Sequence, residues 1–272
     1  AEYGLRPDAA LIRPPMRRHP ISPEYAYRPD PFFSTSGPAG FAGYCLLCVA
    51  MAFGAPAPCP ATDSKTAVEE AQFDIYVAGK KIGTEKYSIL SSEESASSAS
   101  VMDFRDPGNR HQKVHMETQL NMDGRYVPRS YRLRTDVDGK NGVLEGTFDH
   151  AQAIFKYGGN GNDRRSGLLV GDRYCVLDTN VFHHFIFVAR LFNYDAREKP
   201  QSFEVVVPQE MENGILRISH IGMEMTRVGG KRRNLHHLRA DSGFKQIDMW
   251  VDDQRVLHRI ALPERRIEVV RN

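Results

Sequence analysis

From Gln72 onward the apolar positions of this chain repeat mostly every second residue. Phe73, Ile75 and Val77 alternate with polar or small neighbours, the pattern of a half-buried strand. Gly79-Lys80 follows, and glycine supplies the positive φ of a tight hairpin turn into a second strand beginning at Lys81-Ile82. Residues 85–91, 97–104, 111–122, 126–137, 142–149 and 151–157 read as further strands. Turn signals separate them at Asp106-Pro107-Gly108-Asn109, Asp123-Gly124, Asp138-Gly139-Lys140-Asn141-Gly142 and Gly158-Gly159-Asn160-Gly161-Asn162. Strands at 203–208, 214–227, 231–240 and 265–270 continue the series. Near the C-terminus, Ile247, Met249 and Val251 face Val256, His258, Ile260 and Leu262 in a meander. A turn centred on Asp253-Gln254 sets Val251 opposite Val256 and Ile247 opposite Ile260. No internal repeat marks a propeller or solenoid.

One segment departs from period two. Val181, Phe182, Phe185, Val188, Ala189 and Phe192 recur at spacings of three and four, which predicts a helix over 180–193 with one apolar face. Asp178 or Thr179 stands ready as its N-cap. The fold class is therefore mainly β: a large curved antiparallel sheet, half-barrel or barrel, with one packed helix. Strong curvature lets such a sheet enclose an apolar cavity. Phe182 and Phe185 on the helix, and Trp250 on the strand face opposite to Ile247, Met249 and Val251, are the candidate ligand-binding residues.

The first 61 residues are of another kind. Residues 1–40 hold eight of the 16 prolines and few periodic apolar positions, too little apolar surface to offset chain entropy. Phe41 to Phe53, FAGYCLLCVAMAF, is an uncharged run of 13 residues. It is short for a membrane span, which needs ~20 apolar residues, and suits the ~7–15-residue core of a secretory signal. Cleavage after Ala61 is expected, with cleavage after Ala52 or retention as an anchor as alternatives. The chain starts at Ala1, and Met16, followed by Arg17-Arg18, reads as the true start. Residues 62–272 then form a single exported β-rich domain, periplasmic or otherwise in a bacterial envelope, with no membrane span in its mature form.

The remaining composition narrows function mainly by exclusion. A net charge of +2, from 36 basic and 34 acidic side chains, gives no general pull toward nucleic acid. Cys45 and Cys48 form a C-x-x-C, but inside the apolar run and without a second pair to complete a metal cage. Cleavage beyond Cys59 leaves Cys175 alone, so no intramolecular disulfide can form and the core must hold the fold. No phosphate loop, nucleophile elbow or H-E-x-x-H is present, which counts against common hydrolases and nucleotide enzymes. No cofactor or metal is expected.

Several constellations could still carry chemistry. Asp178, His183 and His184 form the densest polar cluster, an alternative site for a metal or an acid/base pair. Adjacent helical residues diverge by about 100°, however, so both imidazoles cannot easily face one ion; a cap followed by surface histidines explains the same letters. His236-His237 lies on a strand, where neighbours face opposite sides. Asp241-Ser242-Gly243 matches the aspartic-protease triplet but falls where a turn is required, and Asp252-Asp253 reads as a solvated turn. Lys231-Arg232-Arg233 with Arg227 makes a basic patch suited to phospholipid headgroups or to a solvated hairpin; Arg129, Arg132 and Arg134 add charge on another strand.

Two hairpins carry a family likeness. Phe73-Asp74-Ile75-Tyr76-Val77-Ala78-Gly79-Lys80-Lys81-Ile82-Gly83 resembles the first hairpin of exported bacterial proteins known only as domains of unknown function. Ile247 to Val256, IDMWVDDQRV, resembles their closing W-x-D hairpin. The likeness covers residues 70–270. More distantly, the architecture is similar to periplasmic lipoprotein carriers of the LolA/LolB type, whose curved sheet holds acyl chains. It implies location and fold, and transfers no binding residue. The expected function is non-enzymatic binding of a lipid or lipoprotein acyl chain in the curved sheet. The alternatives are an envelope hydrolase using Asp178, His183 or His184, and an interaction protein docking another envelope component through a sheet edge.

Overall fold

The structure is a computed structural model that describes residues 67–106, 112–149, 151–159, 163–243 and 245–272. The expected secretion segment, Cys45, Cys48, Cys59 and the turns at 107–109 and 160–162 lie outside the described residues.

Fifteen strands make one sheet. In chain order they are β1 (Ala67–Val77), β2 (Lys80–Ser91), β3 (Ser95–Arg105), β4 (Lys113–Asp123), β5 (Pro128–Val137), β6 (Lys140–Asp149), β7 (Gln152–Gly158), β8 (Arg164–Leu169) and β9 (Tyr174–Val176). A helix, α1 (His184–Leu191), follows, then β10 (Gln201–Val207), β11 (Glu212–Val228), β12 (Lys231–Asp241), β13 (Gln246–Val251), β14 (Leu257–Leu262) and β15 (Ile267–Arg271). The sheet order is β8-β7-β6-β5-β4-β3-β2-β1-β15-β14-β13-β12-β11-β10-β9. Two antiparallel meanders are thus joined where β1 pairs with β15, from Phe73 opposite Arg271 to Val77 opposite Ile267. Only the β9–β10 pair is parallel, and α1 supplies its crossover.

Local chemistry explains most of the hairpins. Three two-residue turns place both central residues at positive φ: Ala78-Gly79 (51° and 77°), Asp138-Gly139 (52° and 82°) and Gly229-Gly230 (56° and 77°). This is the turn whose twist matches that of paired strands. A different device serves β10–β11 and β14–β15. Pro208 and Pro263 each open a single tight helical turn that ends on a left-handed residue, Met211 or Arg266. The proline ring presets φ for the first position of each turn.

Fifteen strands exceed the ~10 that a twisted open sheet carries without curling, and this one curls around its own helix. Alternate positions of most strands are buried, as with Ala96, Ser98, Ser100 and Met102 along β3. The edge strands β8 and β9 do not pair. Instead the Asn213 side chain at the start of β11 donates to the Leu169 carbonyl of β8 at 2.7 Å, and the Phe148 and Tyr174 rings meet at 5.9 Å. Side chains, not a ladder, bring the two ends of the sheet together.

The helix is shorter than the 180–193 expected, and it is not a surface helix. His184, Phe185, Ile186, Phe187, Val188 and Ala189 are all buried. It lies on the concave face between both meanders. Arg190 pairs with Glu69 of β1, the Phe187 ring meets Tyr126 at 5.4 Å, and Arg255 of the β13–β14 loop donates to the Arg190 carbonyl at 3.1 Å. Being enclosed on every side, the helix has no solvent face for its histidines. The expected surface position of His183 and His184 is therefore corrected: both are fully buried.

Three further differences have simple causes. β1 begins at Ala67, five residues before the alternation at Gln72 becomes clear. β8 and β9 were not legible, the first because Arg164, Arg165 and Ser166 mask an edge strand, the second because Tyr174–Val176 is only three residues long. In the last meander Met249, not Ile247, stands opposite Ile260, and Val251 pairs with Leu257 across a bulge. Asp252 forces this shift by accepting from the Gln254 and Val256 amides at 3.0 and 2.9 Å, with Arg255 left-handed at φ 63°. The inward face is preserved because the shift is by two residues.

Because the helix is core on all sides, truncating Phe185 to Ala should cost ~3–5 kcal/mol of stability in urea or guanidinium unfolding. Met225→Ala, at a side chain 61% exposed, should stay within about 0.5 kcal/mol of the parent. Equal effects of the two changes would place α1 outside the core.

Candidate functional site

The sharpest chemistry in the molecule lies where α1 meets the sheet. Glu85 occupies an inward position of β2, in step with Tyr87 and Ile89, and is fully buried. One of its oxygens, Oε2, accepts from the backbone amides of Phe182 at 3.0 Å and His183 at 3.2 Å, just ahead of α1. The first amides of a helix lack internal acceptors, and a strand carboxyl supplies one here. This replaces the expected cap, since neither Asp178 nor Thr179 caps α1; the residue before it is His183, whose side chain makes no cap bond.

The other oxygen of Glu85, Oε1, lies 2.6 Å from His183 Nδ1, and His183 Nε2 lies 3.1 Å from Ser98 Oγ on β3. The Tyr87 ring stacks on His183 with centroids 5.7 Å apart and planes 14° apart. Carboxyl, imidazole and hydroxyl thus stand in the order used by Ser-His-acid hydrolases.

A second network adjoins the first. Asp178 is buried, and its Oδ2 accepts from the Tyr131 hydroxyl at 2.6 Å. Its Oδ1 accepts from the amides of Thr179 and Gln209, both at 2.9 Å. Burial nevertheless pushes the Asp178 carboxyl up to about 6, against the lowering effect of those three donors. The Asp178 amide donates to His184 Nδ1 at 3.2 Å, which leaves the proton of a neutral ring on Nε2. Burial, and then the neighbouring His183, hold His184 well below the ordinary histidine range. His184 Nε2 has no hydrogen-bond partner among the described residues.

The polar cluster read from the sequence is therefore real in space but wired differently. Asp178 touches His184 only through its backbone amide, and His183 takes Glu85 as its partner. The decisive residues missed were Glu85, Ser98 and Tyr131, which stand 98, 85 and 47 positions away from the groups they bind. The one local signal was parity: Glu85 sits in the same alternating set as Tyr87 and Ile89.

The other candidates separate. Phe182 and Phe185 belong to the concave core, while Trp250 belongs to a small cluster on the convex face with Val228 and Leu235. The Trp250 indole N–H donates to Glu224 at 2.9 Å, His237 stacks on it at 4.7 Å and Arg259 covers it at 4.3 Å. His236 points the other way, to His220 at 3.1 Å and Asp253 at 3.0 Å, as strand alternation requires. Asp252 and Asp253 do form a turn, yet each also holds a histidine, with Asp252 2.8 Å from His258. Asp241-Ser242-Gly243 is a turn whose carboxylate accepts from the Gly243 amide at 2.7 Å. Arg129, Arg132 and Arg134 face Asp123, Glu145 and Glu117. No group of three metal-ligating side chains occurs among the described residues.

Space for a substrate lies elsewhere. Two open clefts measure about 450 and 440 Å³. The first is lined by Asp103, His115 and Asp136 among others, the second by Arg125, Arg129 and Asp172 among others. Neither reaches Glu85, His183 or Ser98, whose residues are 0%, 0% and 3% exposed.

No protein-family model matches the chain, and no curated protein is significantly similar to it. Among solved structures it is similar to a β-barrel-like protein of domain of unknown function DUF1849 from Brucella abortus, with a TM-score of 0.50 and 10% identity, over 75% of this chain and 94% of that one. A DUF1089 family protein from Pseudomonas aeruginosa matches at a TM-score of 0.43 and 10% identity, over 64% and 86% of the two chains. The fold is β-barrel-like. That likeness bears on bacterial β-rich domains of unknown function and not on LolA/LolB-type carriers.

The buried carboxyl has a thermodynamic signature. A folded pKa of about 6, against 3.8 for an ordinary aspartate, means that the native state holds the Asp178 proton more tightly. Its contribution is present below the unfolded pKa and is lost as pH rises through the folded one. Unfolding free energies of the parent minus those of Asp178→Asn should fall by roughly 2 kcal/mol from pH 4 to pH 7. Because the difference is taken, the opposing His184 contribution cancels. A flat difference would mean that Asp178 is ionised as easily as in water.

Proposed function

We propose that this domain is a non-enzymatic protein of the bacterial cell envelope that works as a docking module through its outer surface. The observation that carries this reading is the filling of the concave face. α1 occupies the space an acyl chain would need, and Phe182 and Phe185 pack there as core. A lipid held inside the curved sheet, the expectation from sequence, would have to displace the helix together with its bonds to Glu85. Export to the periplasm rests on the apolar run at 41–53 and is part of the same proposal. No helix among the described residues is long and apolar enough to cross a membrane.

One observation favours a second reading, hydrolysis, namely the Glu85–His183–Ser98 series. Against it, the two amides nearest the series already serve Glu85, so they are not free to hold an oxyanion, and neither open cleft described above is lined by Glu85, His183 or Ser98. A fluorophosphonate probe decides between the two. Ser98 should remain unlabelled in the native protein, and labelling that disappears in Ser98→Ala would overturn the docking reading in favour of catalysis. His183→Gln should destabilise the fold by about 3 kcal/mol or more, since it strips a buried partner from both Glu85 and Ser98.

A further inference from the structure

The hairpin of β11 and β12 outruns its neighbours. β10 pairs with β11 only as far as Ile218, and β13 pairs with β12 only as far as His236. Beyond these points the hairpin is a two-stranded ribbon. A bulge between His220 and Gly222, with Gly222 at φ 147°, raises the local twist and turns the ribbon back across the convex face. One side of it, Val228 and Leu235, packs on Trp250 with Ala261 and Val270 beneath. Arg259 donates to Thr226 at 3.3 Å. An isolated ribbon is marginal in water; this one is held by the tryptophan under it.

The other side faces outward and has an unusual composition. Met223 and Met225 are 46% and 61% exposed, and Ile221 at the bulge is 51% exposed. Next along the same face, Arg227 stands directly opposite Arg232; Lys231 and Arg233, paired with Val228 and Thr226, alternate to the other side of the tip and are exposed there. Like charges opposed across a ladder repel. No acidic side chain lies between Met225 and Asn234, and none of the four cations has an ion-pair partner among the described residues. The nearest acid, Glu224, is held by Trp250 and His237. Nothing within the fold repays this concentration of charge, and exposed methionines beside it add an apolar requirement.

We propose that the outward face of the β11–β12 hairpin docks on an anionic phospholipid surface, with Arg227 and Arg232 among the headgroups and Met223 and Met225 at the acyl boundary, while Lys231 and Arg233, exposed on the other side of the tip, add to its positive charge. The proposal rests on the surface-docking reading above and names its partner. Charge complementarity selects the anionic headgroup, each cation near such a surface adding roughly a fivefold factor to binding. The methionines select a membrane over a nucleic acid, since interfacial binding scales with the apolar area buried and the ribbon's outward face presents no aromatic ring on which a base could stack.

Flotation of the full chain with phosphatidylglycerol–phosphatidylcholine vesicles, against phosphatidylcholine alone, tests it. The parent should bind the anionic vesicles selectively and lose that binding as salt screens the charges. Arg227→Glu/Arg232→Glu should lower anionic-vesicle binding at least tenfold. Arg227→Gln/Arg232→Gln, which relieves the like-charge pair and is safe for folding, should lower it in the same direction. Met223→Ser/Met225→Ser should weaken binding while keeping its salt dependence, and Arg132→Glu/Arg134→Glu, on another strand, should change nothing. Circular dichroism confirms that each variant is folded. Equal binding by the parent and both arginine variants would assign vesicle contact to residues 41–53 and overturn the proposal. No selectivity for the anionic vesicles, with arginine-dependent crosslinking to an acidic envelope protein instead, would overturn the lipid assignment and leave the docking reading standing. A stoichiometric lipid retained equally by the parent and all variants in native mass spectrometry would overturn the docking reading itself.

Discussion

A fifteen-stranded sheet that curls must fill its own concave face, and the contact on which this filling depends is the one between Glu85 and the start of α1. The carboxyl takes two backbone amides and an imidazole at once. An eight-residue helix is too short to hold itself together in water. Here its first amides are satisfied by a strand, its flanks by phenylalanines of the core, and its last turn by Arg190 on Glu69. Glu69 also takes Arg271 at 2.5 Å, so the first and last strands in chain order and the end of the helix meet on one acid. The junction of the two meanders and the placement of the helix are a single problem with a single solution.

The same constraint separates geometry from activity. Glu85, His183 and Ser98 stand at distances that would serve a hydrolase, but they do so because buried polar groups must find partners. Three groups with matching donors and acceptors, closed off from solvent, fall into a chain for that reason alone. Glu85, His183 and Ser98 are 0%, 0% and 3% exposed, and the two amides nearest them already serve Glu85. Buried polar networks of this kind give a core a unique arrangement more readily than they give it extra stability.

The concave face is filled by the core, and the convex face and its margins lie outside it. There the polar side chains are arranged differently. Around Trp250, Glu224, His237, Asp248 and Arg239 satisfy one another and Arg259 pairs with Glu268, whereas the cations at the tip of the β11–β12 hairpin have no such partners among the described residues. Unbalanced charge thus stands beside exposed methionines on the surface, while inside the buried His184 Nε2 lacks a partner among the described residues.

The strands were legible in the sequence because their causes are local: alternation in Phe73, Ile75 and Val77, and glycine or aspartate where a turn demands positive φ, as at Asp138-Gly139. The helix was legible in position but not in surroundings, since the spacing of Phe182, Phe185 and Phe192 is the same whether the opposite side meets water or a second wall of sheet. Register in the last hairpin escaped by two residues because one side chain, Asp252, sets the turn, and alternation cannot distinguish a shift of two from none. The candidate site was half legible. Asp178, His183 and His184 are neighbours in the chain, while Glu85, Ser98 and Tyr131 come to them from strands dozens of residues away. By itself the sequence determined the strand series, the inward parity of Glu85 and the charge of the hairpin tip. Only the tertiary structure decided that the helix is enclosed, that Trp250 lies on the face away from Phe182 and Phe185, and which acid meets which histidine, because those depend on how far the sheet curls, a property of all its strands together and of no segment alone.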